Sequence, residues 1–288
     1  MLTKWTVLAR KLPNPIYKIL AQGYIDREFP RHLFIETTAN CNLSCSYCPR
    51  EKRKEDMDFE LFKAIIKEAN QYGPRSFSLH LFGEPLLYPR IIEAIRYIKG
   101  KSKRHTVLLT TNGTLLNRFA KELEEVGVDR IIWTYRKNNF NEASKRLLKI
   151  CGMVRLLREE TPEEEFKEWS KYPRVEVKSL HNYGGNIDVS KWGLKDLGMD
   201  KRWPCYHLWL APAIRWNGEI TFCCNVPKAG DEVLGRYGET TLGDVWRGDA
   251  LKSIRASHMR GQYTGACANC SSYQAYPSIF FGHQCQTA

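Results

Sequence analysis

The sequence predicts an α/β fold, a partial (β/α)6 barrel followed by a small cysteine-rich α+β domain, and three observations carry that reading. Short apolar runs alternate with segments of helical period six times over about 150 residues. Polar and glycine-bearing loops follow several of those runs, as expected where parallel strands open onto a functional face. Six of the ten cysteines lie from Cys205 to Cys285, where the alternation has stopped.

Taken in order, residues 1–32 form an N-terminal extension with a short helix expected at Ile16–Leu20, after Pro13 and Pro15. Residues 33–186 form the barrel and 187–288 the cysteine-rich domain. Phe34–Thr38 runs from apolar to polar and predicts a buried strand ending in a loop. Asp58 is suited to cap a helix whose Phe59, Phe62, Ile65, Ile66 and Ala69 share one face, up to Gly73-Pro74. Ser76–Phe82 predicts a second strand, running into Gly83-Glu84-Pro85 and a helix with Ile91, Ala94, Ile95 and Ile98. Thr106–Thr110 and Arg130–Thr134 predict the third and fourth strands, separated by Thr111-Asn112-Gly113 and a helix stopped at Gly127. A helix over about 141–149, a strand at Met153–Leu157, a helix over about 162–171 and a strand at Val175–Val177 complete the series.

The chain of 288 residues, 43% of them hydrophobic, can bury a substantial core. No run approaches the roughly 18 apolar residues of a membrane span, and the N-terminus holds no sustained apolar stretch, so a cytoplasmic protein is expected. In a reducing compartment ten cysteines point to metal ligation rather than disulfides. The net charge of +12 and pI near 9.2 suit an anionic substrate, a nucleic-acid partner or simply a basic proteome. No nucleic-acid module is present, and none of the other signals favours that partner. The densest basic run, Arg50-Glu51-Lys52-Arg53-Lys54, reads either as a solvated loop or as a docking patch for an acidic electron donor such as flavodoxin or ferredoxin.

Cys41, Cys45 and Cys48 place three thiols on one loop directly after the first strand. A [4Fe–4S] cubane has four irons and is normally held by four thiolates, so three from protein leave one iron open to a different ligand. Zinc ordinarily draws four ligands from two separated pairs. With Tyr47 just before the third cysteine, the loop resembles the cluster loop of the radical S-adenosylmethionine (SAM) enzymes. The resemblance implies that SAM chelates the open iron and is reductively cleaved to a 5′-deoxyadenosyl radical, with Tyr47 near the adenine. Gly83-Glu84-Pro85 is similar to the family's GGEP element, with Phe82 in place of the first glycine, and is implied to hold the SAM amino group. A carboxylate and a carbonyl at a strand end are suitable acceptors for an ammonium, and glycine permits close backbone approach. Position at strand ends makes Asn112 and Thr134 candidates for contacts to the ribose or carboxylate of SAM, and Arg155 for its carboxylate. His181 to Asn186, after the sixth strand, is a candidate pocket rim, with His181 expected to form hydrogen bonds rather than ligate metal.

In the second cysteine set, Cys205 and Cys223 flank an expected hairpin turning at Trp216–Glu219, a helix is expected over about 242–258, and Cys267-x2-Cys270 follows. Four such ligands suit either tetrahedral zinc or a cluster. Their arrangement, with Gly218 and Trp246, is similar to the SPASM/Twitch extensions of radical SAM enzymes. This implies one auxiliary [4Fe–4S] cluster on Cys205, Cys223, Cys267 and Cys270, as in the shorter Twitch type. Cys224, expected to alternate away from Cys223 on a strand, and Cys285 are spares, and Cys151 is a small core residue.

A fully thiolate-ligated auxiliary cluster has no open iron, so electron transfer is its expected role. The expected activity is a two-electron oxidation of a small polar substrate, an aminocyclitol or a sugar being what the resemblance to Twitch dehydrogenases implies. A peptide-modifying maturase forming thioether or carbon–carbon bonds is the alternative. A zinc or nucleic-acid-binding protein is the alternative of another class.

Overall fold

A computed structural model describes residues 28–169, 174–194, 204–228 and 230–272. Six parallel strands run in the order in which they occur in the chain: β1 (His32–Ile35), β2 (Ser76–Ser78), β3 (Thr106–Thr111), β4 (Arg130–Thr134), β5 (Gly152–Leu157) and β6 (Val175–Lys178). The crossovers carry α1 (Phe59–Gln71), α2 (Ile91–Lys101), α3 (Leu116–Glu125), α4 (Glu142–Cys151) and α5 (Glu163–Trp169). This is the open, partly closed β/α architecture that the alternation predicts. The expected helix at Ile16–Leu20, together with Lys171 and Cys285, lies outside the described residues.

Helix starts follow local chemistry. Asp58 accepts from Leu61 N–H at 2.9 Å to begin α1, and Asn141 accepts from Ser144 N–H at 2.9 Å to begin α4. The apolar stripe of α1 (Phe62, Ile65, Ile66) and that of α2 (Ile91, Ile95, Ile98) are fully buried against Leu33, Ile35, Phe77, Val107 and Leu109. Because side chains alternate along a strand, this helix-facing set leaves His32, Phe34, Thr110, Thr134, Arg155, Glu176 and Lys178 on the inner face. The main core therefore sits under the helices, and the inner face carries these polar and charged groups alongside Leu108, Ile132, Met153 and Leu157.

Three further strands extend the same sheet beyond β1. β7 (Ala213–Ile214) pairs with β1 in parallel, and β8 (Glu219–Thr221) and β9 (Val233–Arg236) follow antiparallel. The β7–β8 turn is the expected hairpin, with Gly218 at φ +85 and its N–H on Arg215 O at 2.9 Å. The expected second strand is shorter than its apolar run, because the chain after Ser78 leaves the ladder to lay Gly83 against the segment following β1. The single helix expected over 242–258 is two, α6 (Leu242–Arg247) and α7 (Asp249–Met259). Gly248 is extended (φ −68, ψ 157) and ends one while starting the other.

Candidate active site

The segment leaving β1 is closed at its base before the cysteines begin. Ala39 N–H donates to Glu55 O and Met57 N–H to Thr37 O, each at 2.9 Å, so residues 40–54 protrude as one loop. Inside it Cys48 N–H donates to Cys45 O at 3.1 Å, and the Arg50 guanidinium reaches back to the carbonyls of Cys41 (3.2 Å) and Leu43 (3.0 Å). Arg53 is paired with Glu51 at 2.9 Å. Of the basic run, Lys52 and Lys54 are left exposed, while Arg50 shapes the loop itself.

Burial pushes the Cys41 and Cys48 thiols up, and both lie within reach of the charge of Cys45. A ligand that demands thiolates has to supply compensating positive charge, as an iron cluster does. Two donors already address these sulfurs: Arg136 Nη2 stands 3.6 Å from Cys45 Sγ and Asn112 Nδ2 4.0 Å from Cys41 Sγ. Arg136 also lies 5.6 Å from the ring centroid of Tyr47, which packs with Leu157 and Leu180.

Gly83 packs on this loop's base. A Cβ there would meet Thr38 O at 1.9 Å, so the close approach that requires glycine is made by the protein's own backbone. Glu84, 3% exposed, donates its N–H to Asn40 O at 2.8 Å. Its carboxylate accepts from Thr111 Oγ1 (2.7 Å), Asn112 N–H (2.8 Å) and Leu86 N–H (3.2 Å), and burial raises its pKa. Pro85 opens a 3₁₀ turn, Pro85–Leu87, for which Glu84 is the cap. Glu84 thus ties the β1, β2 and β3 ends together. Asn112 bridges to Asn42 Oδ1 at 2.9 Å.

Thr134, Arg155 and Glu176 stand in register across β4, β5 and β6, and Arg155 pairs with Glu176 at 2.6 Å. Around Arg155 is a polar group that sequence reasoning largely missed. His80 and His181 lie within reach of the charges of Arg155 and Lys178, and His207 within reach of Lys178. Burial is the leading cause of their lowered pKa values, to about 3 for His80, about 2 for His181 and about 4 for His207. The strand-end rule that selects Thr134 also reaches Lys178 and, two residues past β4, Arg136. His181 forms hydrogen-bond and ring contacts, its Nδ1 accepting from Tyr183 N–H at 3.3 Å and its ring 3.9 Å from that of Tyr183. Tyr183, held at φ 46, has its ring 5.9 Å from that of Phe82 and lies within reach of the charges of Cys48, Arg155, Cys224 and Cys45.

The second set surrounds one cavity. Cys205, Cys223, Cys267 and Cys270 line it with His207, Phe222, His258 and Tyr263. Burial pushes the Cys267 thiol well up, reinforced by Cys223, Cys205 and Cys270. His258 is buried, and its Nδ1 accepts from Cys205 N–H at 3.2 Å, fixing the start of that ligand loop. Cys224 lies in a turn rather than on the expected strand, since β8 ends at Thr221, and it does not line the cavity. Its pKa is lowered by a hydrogen bond from Cys223 and then by Lys178. All nine described cysteines are free, and Cys151 is buried with its Sγ on Leu147 O at 3.5 Å. Among the described residues no three His, Cys, Asp or Glu converge tightly enough to hold a single metal ion. A cubane spreads its thiolates over separate irons and does not ask for that convergence.

A loop of three thiols at a β/α mouth and a distant four-thiol cavity match two families' signatures. The family model described as Radical SAM superfamily matches residues 35–132, and the one described as an iron–sulfur cluster-binding domain, SPASM, matches residues 205–271. These two matches mark a radical SAM domain and a C-terminal SPASM domain, and the cofactors they imply are a SAM-binding [4Fe–4S] cluster, SAM and an auxiliary iron–sulfur cluster.

The chain is 36% identical over 111 residues to the tungsten-containing aldehyde ferredoxin oxidoreductase cofactor-modifying protein of Pyrococcus furiosus, covering 36% of this chain and 30% of that protein. It is 35% identical over 105 residues to a probable GTP 3′,8-cyclase of Methanococcus maripaludis, covering 35% of each. These matches span about a third of the length of those relatives. Among solved structures, BtrN in complex with AdoMet and 2-DOIA aligns with TM-score 0.63 at 20% identity, over 84% of this chain and 93% of BtrN. Streptococcus suis SuiB bound to precursor peptide SuiA aligns with TM-score 0.62 at 17% identity, over 90% of this chain and 75% of SuiB. At such identities the likeness is one of fold. Among the described residues no helix is long and apolar enough to cross a membrane.

Proposed function

We propose that this protein oxidises a small polar substrate by two electrons, with the auxiliary cluster as electron acceptor. The observation that carries the proposal is the grouping of Cys205, Cys223, Cys267 and Cys270 around one cavity, against three thiols in the Cys41–Cys48 loop. Four protein thiolates leave no open iron on the auxiliary cluster, whereas three leave one for SAM. In this reading residues 33–186 house the SAM site and 187–288 the auxiliary cluster.

The bound cofactors supply reductive cleavage of SAM and a 5′-deoxyadenosyl radical that takes a hydrogen atom from a substrate C–H. An alcohol so oxidised would need a base for its hydroxyl proton and an acceptor for its remaining electron, and the auxiliary cluster that Cys205, Cys223, Cys267 and Cys270 would hold would be that acceptor. The chain's residues position these partners. Gly83, Glu84 and Pro85 present backbone and carboxylate acceptors to the SAM amino group, while Asn112, Thr134 and Arg155 face its ribose and carboxylate. Tyr47 offers a ring face to the adenine. In this reading the substrate sits beside Tyr183, which lies within reach of Cys48, Cys45 and Cys224, and beside His181, whose ring is 3.9 Å from that of Tyr183. An external donor such as flavodoxin or ferredoxin supplies the first electron, docking at Lys52 and Lys54 beside the loop.

A peptide substrate is the second reading, because SuiB, whose structure holds a precursor peptide, shares the fold as closely as BtrN does. Anaerobic reconstitution tests the cluster and SAM assignments on which both readings rest. About eight irons per chain are expected, the sum of two cubanes, together with 5′-deoxyadenosine on addition of dithionite and SAM. The Cys41→Ala/Cys45→Ala/Cys48→Ala variant should make no 5′-deoxyadenosine, and formation of that product by the variant refutes the assignment.

A further inference from the structure

The loop after β6 and the loop that carries Cys267 and Cys270 are joined through one residue. Asn182 is fully buried. Its backbone N–H donates to Ser271 Oγ at 2.8 Å, its Oδ1 accepts from Ser271 N–H at 2.9 Å, and its Nδ2 donates to Asn269 O. Its own carbonyl accepts from Ile187 N–H at 3.0 Å, which closes residues 182–187 into a compact turn. All four polar groups of one asparagine are engaged, three of them on the residues that flank Cys270.

The fit around this clasp is close. Gly184 stands at φ +68, and a Cβ there would meet Ala266 O at 2.9 Å, so the turn lies backbone to backbone against the start of the ligand loop. Asn225 donates from Nδ2 to Ser272 Oγ at 3.0 Å and from its N–H to Cys223 Sγ at 3.4 Å, which brings the Cys223 turn to the same place. In the other direction the Tyr183 ring lies 5.9 Å from that of Phe82. Phe82 precedes Gly83 and Glu84, and the Glu84 N–H holds the stem of the first cysteine loop through Asn40 O at 2.8 Å. Three strands separate β2 from β6, so the ring contact crosses the mouth instead of following the sheet.

A buried polar side chain with every group satisfied specifies one geometry, and no helix or strand pairing asks for it here. β7 on β1 already anchors the hairpin that leads to Cys223, and Asn182 anchors the later cysteine pair. We infer that Asn182 is a positioning residue: its clasp holds the Cys267–Cys270 loop against the loop carrying Tyr183 and so fixes the separation of the two cysteine sets. The inference rests on the reading of Cys205, Cys223, Cys267 and Cys270 as ligands of an auxiliary cluster. Electron transfer falls off steeply with the separation of donor and acceptor, so a fixed separation is what the proposed oxidation asks of the fold.

The test uses the reconstituted protein with both clusters reduced, read by EPR, in which two paramagnetic centres held at one distance split or broaden each other's lines. The wild type should show that interaction, and the Cys41→Ala/Cys45→Ala/Cys48→Ala variant should abolish it. Asn182→Ala keeps every cysteine and should retain about eight irons per chain, two cubanes, while the interaction loses its resolved form. The auxiliary signal alone, recorded in the triple variant, should keep its line shape when Asn182→Ala is added. A change there would make the asparagine a local support of one cluster and overturn the inference. If Asn182→Ala loses auxiliary iron, Ser271→Ala, which removes only the hydroxyl that takes the Asn182 N–H, is measured in its place. An interaction identical to wild type in the variant that keeps its iron overturns the inference. Wild-type protein with both clusters and no interaction also overturns it, while the cluster assignment stands; wild-type protein that takes up no iron removes that assignment and the inference with it.

Discussion

The Thr111 hydroxyl donates to the Glu84 carboxylate at 2.7 Å, joining the end of β3 to the Gly83-Glu84-Pro85 turn. The same carboxylate takes the Asn112 N–H, so one buried acid fixes both the turn and the residue that reaches Cys41 and Asn42. Both groups are donors, and a glutamine amide would confront one of them with its own N–H. Glu84→Gln should therefore cost about 1.5–3 kcal/mol of stability, the range for hydrogen bonds to a charged group. It should also weaken SAM binding by loosening Asn112. Thermal unfolding and equilibrium dialysis with labelled SAM measure the two effects, and a variant as stable as wild type would remove Glu84 from its tying role.

Gly83 makes a steric prediction. Any Cβ would overlap Thr38 O at 1.9 Å, and the atom in the way is backbone that cannot rotate aside. Gly83→Ala should displace residues 38–40, the stem of the cysteine loop, at a cost of about 3 kcal/mol or more. Iron content after reconstitution should fall by the share of the first cluster. Wild-type iron with a wild-type melting temperature would show that the stem relaxes freely.

How much of this was legible beforehand depends on whether the signal is local. Ile131, Ile132 and Trp133 name β4 by composition, and the strand spans Arg130–Thr134 as expected. Cys41, Cys45 and Cys48 announce a loop site by spacing alone. The pairing of β7 with β1 is different in kind, because nothing in Ala213-Ile214 records that it will meet Phe34 and Ile35 nearly two hundred residues earlier. Arg136 and Lys178 were hidden for the same reason: each is an ordinary cation in sequence and acquires meaning only from what the sheet brings opposite it. The break at Gly248 is intermediate, a glycine within an otherwise helical run whose extended backbone had to be seen.

Glu36 sets a pH dependence. It is 3% exposed at the end of β1, and burial raises its pKa from 4.5 to about 7, with Arg215 opposing. A carboxyl whose folded pKa exceeds its unfolded value favours folding while protonated in both states. That contribution is complete below about pH 4.5 and is lost as pH rises through about 7, amounting to about 3 kcal/mol in all. Glu36→Gln should flatten the fall in stability between those values. Urea unfolding at several pH values reads the slope, and identical slopes in the two proteins would contradict the assignment.

Cys223 and Cys224 are adjacent but play opposite parts. Cys223 lines the cavity with Cys205, Cys267 and Cys270, whereas Cys224 lies toward Lys178. Cys223→Ala should lower the iron content by about four per chain, one cubane, and Cys224→Ala should leave it near eight. If Cys224→Ala loses the iron and Cys223→Ala keeps it, the ligand assignment exchanges the two residues.

Arg136 bears on the electron that starts the reaction. Its Nη2 stands 3.6 Å from Cys45 Sγ, and its side chain is shared with the face of Tyr47. Reduction adds negative charge to a cluster, so a cationic donor on one of its thiolates stabilises the reduced state more than the oxidised one. Removing the donor should make reduction harder. A hydrogen bond worth about 1 kcal/mol corresponds to roughly 40 mV for a one-electron couple. Arg136→Ala should accordingly shift the SAM-binding cluster negative by that order and slow dithionite-driven 5′-deoxyadenosine formation, while Arg136→Lys keeps the charge and part of the effect. The auxiliary cluster, proposed here on Cys205, Cys223, Cys267 and Cys270, should keep its potential. An EPR-monitored redox titration separates the two clusters, and an unchanged or more positive potential for the first one would mean that Arg136 serves Tyr47 and not the sulfur.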